Sequence, residues 1–127
     1  IDPSMSLADR GVYVNIFRAE EADGGQPGVP VAGVTITKFG APAPADDFYF
    51  SDTAPASRAT VDPALSVTGA NGTGLLLNSP SLITHSGTGG LPADCKWSDN
   101  TGATIPGVVF VQTRNPEASG ANPCVFP

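Results

Sequence analysis

The stretch GVYVNIFRA, residues 11–19, alternates strictly: Val12, Val14 and Ile16 fall on one side of an extended chain, Tyr13, Asn15 and Phe17 on the other. Successive strand side chains point to opposite faces of a sheet, and β-branched and aromatic residues suit that pleated surface. The period of two predicts a strand. The aliphatic side is expected to face a core, leaving Tyr13, Asn15 and Phe17 available at an exposed edge.

The same grammar repeats on either side. Residues 20–28, EEADGGQPG, form an acidic, turn-rich loop. Residues 29–39, VPVAGVTITKF, give a second strand with Val34 and Ile36 on one face and Thr35 and Thr37 on the other. Residues 47–51, DFYFS, are a short aromatic strand. Residues 59–67 are broken at Asp62-Pro63. Asn71-Gly72 lies between two β-prone runs and signals a hairpin turn, after which Leu75 to Leu77 should be buried. Further strands are expected near residues 82–85, at 93–98 with Cys95 and Trp97 on one face, and at 105–114, IPGVVFVQTR. Val12 to Ile16, Val34 to Ile36 and Val108 to Val111 are expected to share one dry interior. Residues 99–103 read as a turn and residues 115–127 as irregular. The one helix candidate, residues 6–10, is too short to stand alone.

About seven to nine short strands with frequent turns are the signature of a sandwich or barrel. Composition agrees. The chain has 127 residues, the size of one domain, and 40% are hydrophobic. It carries 15 Gly and 13 Pro, which leaves little room for long helices. The expected fold is an all-β, antiparallel, Greek-key-type β-sandwich. Residues 1–5 are expected to be a cloning remnant or disordered start, and residues 6–127 a single domain.

Charge excludes some partners. Only two Lys and four Arg are present, scattered, against a net charge of −6. Nucleic acids and anionic membrane surfaces are bound by clustered cations. No apolar run approaches the roughly 20 residues needed to span a bilayer. The two cysteines, Cys95 and Cys124, could be free thiols, half a metal site or one bridge. With His85 the sole histidine and no C-x-x-C, a disulfide is the preferred reading. It would close a loop of about 30 residues, contribute about 3 kcal/mol, and imply an oxidising compartment.

Two stretches carry a family resemblance. GVPVAGVTITKFG (residues 28–40) and SVTGANGTGLLL (residues 66–77) resemble the carboxypeptidase regulatory-like domain, a transthyretin-like (prealbumin-like) β-sandwich. Gly28, Pro30, Val31, Gly33, Val34 and Ile36 match its first motif. Thr68, Gly69, Asn71, Gly72 and Leu75 match its second, with Gly69 where the family usually has Asp. Residues 41–65 then look like an insertion carrying Phe48, Tyr49 and Phe50. Taken with an Ala-, Gly- and Pro-rich, Lys-poor composition, the resemblance implies an exported bacterial protein. Such a protein would be secreted, periplasmic or outer-membrane-associated, and could be a lipoprotein whose N-terminal segment has been removed.

Candidate chemistry is sparse. His85 has serines nearby in sequence but no G-x-S-x-G elbow, so no catalytic set is expected. Asp46, Asp47 and Asp52 could hold calcium weakly, though no D-x-D-x-D-G loop is present. Tyr13, Phe17, Phe48, Tyr49, Phe50 and Trp97 are the candidate recognition surface, since aromatics combine a large apolar area with a polar tip. The expected function is a non-catalytic structural or interaction module that needs no cofactor. It would dock a protein partner of the cell envelope through a sheet edge or loops. The alternative is a surface module for carbohydrate or calcium.

Overall fold

A computed structural model describes residues 11–19, 28–39, 41–42, 47–77 and 82–118. The helix candidate at residues 6–10, Asp46 and Cys124 lie outside the described residues. The described chain is all-β, with no helix.

Twelve strands follow in chain order: β1 (Val12–Ala19), β2 (Val29–Pro30), β3 (Thr35–Lys38), β4 (Ala41–Pro42), β5 (Asp47–Phe50), β6 (Val61–Asp62), β7 (Thr73–Leu76), β8 (Ile83–Thr88), β9 (Cys95–Trp97), β10 (Asn100–Gly102), β11 (Val109–Arg114) and β12 (Pro116–Ala118). One sheet runs β11-β1-β7-β5-β6, with β2 also paired to β1. The second runs β10-β8-β3-β4, and β12 pairs with β9 as a separate ribbon. Two short strands, β10 and β12, fall where turn and irregular tail were expected. All pairings are antiparallel except one: β1 and β11 run parallel, Val12 opposite Val109 through Phe17 opposite Arg114.

The two sheets meet over Tyr13, Phe17, Val34, Ile36, Tyr49, Leu76 and Trp97, all buried. Phe17 and Trp97 pack edge to face, with ring centroids 5.0 Å apart. Offset and edge-on ring pairs are the favoured geometries for aromatic quadrupoles. Val34 and Ile36 face inward as their alternation predicts. On β1 the expected faces are reversed. Tyr13, Asn15, Phe17 and Ala19 are buried, whereas Val12, Val14, Ile16 and Arg18 are half-buried. Both faces of β1 are largely apolar, so alternation located the strand without fixing which side was inner. Size decided it, because the larger rings fill the space between the sheets.

The two stretches that carry the family resemblance touch each other. Thr68 Oγ1 donates to the Val31 carbonyl at 2.8 Å and accepts from the Val34 N–H at 3.0 Å. The Thr68 N–H donates to the Val34 carbonyl, and the Gly33 N–H to the Thr68 carbonyl, each at 2.8 Å. A loop that would otherwise bury unpaired backbone groups is thereby satisfied. Asn71-Gly72 is a turn, but not of a two-strand hairpin: it leads from this loop into β7. Asn71 Oδ1 accepts from the Thr73 N–H, and Gly72 takes a φ of 62°. A Cβ at Gly72 would lie 2.6 Å from the Phe17 carbonyl oxygen, so glycine is required both by conformation and by space.

Candidate functional site

The residues expected to form a recognition surface mostly build the interior. Tyr13, Phe17, Tyr49, Phe50 and Trp97 are buried, and Phe48 is half-buried. The expectation that β1 presents an exposed edge also fails, because β1 is flanked by β11 on one side and β7 on the other. Tyr49 cannot stack on a sugar. Its hydroxyl accepts the Ile36 N–H at 2.9 Å and donates to Asp47 Oδ2 at 2.6 Å, joining the two sheets. Burial, then the Asp47 bond, pushes the Tyr49 phenol well above its ordinary range. The Trp97 indole N–H donates to the Gly89 carbonyl at 2.9 Å and is likewise committed internally.

The acidic candidates separate in the same way. Asp47 is buried and bonded to Tyr49. Asp52 organises its own loop, accepting from the Ala59 and Thr60 N–H groups and from Ser57 Oγ. These bonds, led by that from Thr60, hold its carboxyl below the usual range. Among the described residues no three His, Cys, Asp or Glu side chains gather as a metal site. Cys95 is half-buried on β9, and none of the described cysteines is a free thiol.

His85 lies inside, its ring 5.1 Å from that of Tyr13. Burial, then the charges of Arg114 and Lys38, pull it down to about 4. Its neighbour Ser86 is engaged elsewhere, with Oγ donating to backbone carbonyls of Trp97 and Ser98.

Sequence reasoning overlooked Arg114, a fully buried cation. Its Nε donates to Asn15 Oδ1 at 2.7 Å, and its Nη1 donates to the His85 carbonyl at 2.9 Å and the Ser98 carbonyl at 3.3 Å. Its guanidinium also lies over the Tyr13 ring, 5.9 Å from the centroid. Desolvation lowers its pKa, countered in part by the Tyr13 and Asp99 groups. Arg114 therefore links β11, β1, β8 and the turn after β9. The one available signal was Asn15 among the apolar residues 12–17, a polar group that needs a buried partner.

What remains for recognition is β11. It ends its sheet, and no described strand pairs with its outer side. The sequence placed residues 108–111 in the dry interior. Instead Val108, Val109, Phe110 and Val111 are all exposed, Val109 at 48% and Val111 at 64%. The Val12 N–H donates to the Val108 carbonyl at 3.1 Å. In a parallel ladder the bonding groups alternate, so this phase turns the N–H and C=O of Val109, Val111 and Thr113 away from β1. Beside the edge lies a cavity of about 300 Å³ lined by Tyr13, Leu82, Gly102, Ile105, Phe110 and Val111 among others. Leu82 and Ile105 are themselves exposed. On the sheet's outer face, Val111, Val14, Leu75 and Phe48 stand in one cross-strand row.

Sheet edges normally carry charge, proline or a covering element that blocks further pairing. Here no charged residue occurs between Asp99 and Arg114, and Arg114 turns inward. The fold and this edge define an all-β sandwich with an apolar border strand that no other described strand pairs on its outer side. Comparison with protein-family models, with curated proteins and with solved structures gives no match to this chain.

Proposed function

We propose that this chain is a non-catalytic interaction module of an exported bacterial protein, and that it binds a polypeptide partner of the cell envelope by strand addition at β11. The observation that carries the reading is the β11 border, four consecutive exposed apolar residues of which Val109 and Val111 turn outward backbone groups that no described strand pairs. Main-chain hydrogen bonds give affinity in this mode, and alternate side chains give selectivity. The resemblance to carboxypeptidase regulatory-like domains supports an exported, transthyretin-like module. A Cys95–Cys124 bridge belongs to the same reading, because an oxidising compartment would preserve it.

The test is an amide-resolved NMR titration with short extended peptides that alternate valine and threonine. The expected result is progressive shifts at Val109, Val111 and Thr113. Absence of any response along β11 overturns the proposal. So does stabilisation by glycans or millimolar calcium alone.

A further inference from the structure

We infer that the strand completing the β11 edge is the β11 of a second copy of this chain, paired antiparallel about a two-fold axis. This rests on the reading of β11 as the interaction surface and adds the identity of its occupant. Three observations lead to it.

The first is symmetry in the sequence. A two-fold interface brings one patch against itself, so it must be self-complementary. Residues 109–111 read Val-Phe-Val, the same in both directions. With the axis at Phe110, Val109 of one copy meets Val111 of the other, and the two Phe110 rings meet each other.

The second is hydrogen-bond phase. The outward groups on β11 belong to Val109, Val111 and Thr113, as fixed by the Val12-to-Val108 bond. An axis at Phe110 sets Val109 opposite Val111 in both halves, so each such pair exchanges two backbone bonds. Phe110 occupies the non-bonded position, where side chains approach most closely. A shift of one residue would set outward groups against inward ones. The inner faces of both copies then lie on one side, and each sandwich continues into the next.

The third is charge. Two bodies of net charge −6 repel. Residues 100–113 carry no charge at all, so the border strand is a place where two copies can approach without pairing like charges. A stable, specific interface clears about 1,000 Å² in total, and a pairing confined to one short strand sits at the small end of that scale. Affinity should therefore be modest, with a Kd of about 1–100 μM.

Sedimentation equilibrium from micromolar to millimolar protein tests this. The weight-average mass should climb from 12.8 kDa towards twice that value. Val111→Pro removes an outward N–H but no bond to β1, and proline is tolerated at such edge positions. Val111→Lys places two like charges at the border. Both variants should stay monomeric while melting within a few degrees of the parent, and if the proline variant fails to fold, the lysine variant decides. A parent chain that is monomeric throughout overturns the inference, as does a dimer that survives in a folded variant. If the monomer still accepts a valine-threonine peptide at β11, the second copy is refuted while strand addition stands. If it accepts none, both fall.

Discussion

Replacing Arg114 with methionine probes the centre of this fold. Methionine keeps most of the side-chain length and removes the guanidinium, leaving Asn15 Oδ1 and the His85 and Ser98 carbonyls short of a donor. Hydrogen bonds to a charged group contribute about 1.5–3 kcal/mol each, and a buried acceptor left without its donor costs about 1–3 kcal/mol. An opposing term reduces this. Among the described residues Nη2 of Arg114 has no hydrogen-bond partner within bonding geometry, so part of its desolvation is uncompensated and is relieved on substitution. The net expectation is a loss of about 3 kcal/mol, or about 10 °C in Tm for a domain of this size. Trp97 is the only tryptophan and lies buried against Phe17, so its fluorescence reports urea unfolding directly. Asn15→Leu alone should cost a similar amount by stranding Nε. The double variant should lose at least 1 kcal/mol less than the sum, since the two residues share one bond. An Arg114→Met protein within about 0.5 kcal/mol of the parent would refute the reasoning.

Three further outcomes are expected. Gly72→Ala should lower stability by about 2 kcal/mol or more in urea titration, because the new Cβ meets backbone atoms of Phe17 and Val31 in a left-handed conformation; an unchanged midpoint would contradict the turn. Cys95→Ser should cost about 2–4 kcal/mol, and equal melting temperatures with and without reductant would count against the bridge. His85 is pulled down to about 4 and stays neutral when folded, whereas the unfolded chain protonates near 6.5. Its contribution is present above pH 6.5 and is lost as pH falls towards 4, by up to about 3 kcal/mol. An NMR titration midpoint at 6 or above would overturn that account.

Much of the fold was legible in the residues themselves. The period of two located β1 and β3, runs rich in β-branched and aromatic residues located β5 and β11, and glycine at position 72 marked a backbone constraint that packing then enforced. The site was far less legible. Tyr13, Tyr49 and Trp97 look alike in sequence whether they line a surface or a core, and only the apposition of two sheets assigns them inward. Residues 108–111 misled in the opposite direction. A run of Val-Val-Phe-Val reads as interior because apolar residues are usually buried, yet the pairing order that leaves β11 at a border is a long-range property with no local signal. The same holds for β10 and β12, whose polar sequences become strands only because β8 and β9 offer them partners.

The parallel seam between β1 and β11 also governs the order of assembly. Its partners are separated by nearly the whole described chain, and such distant contacts must overcome loop closure before they return any stability. On the ribosome, β1 emerges first but meets β11 only once the last long strand has been made. Until then Tyr13 and Phe17 await Arg114 and its carbonyl acceptors, so closure of the sandwich waits for β11. A nascent chain that stays open for this long leaves those rings exposed to other apolar surfaces in the meantime.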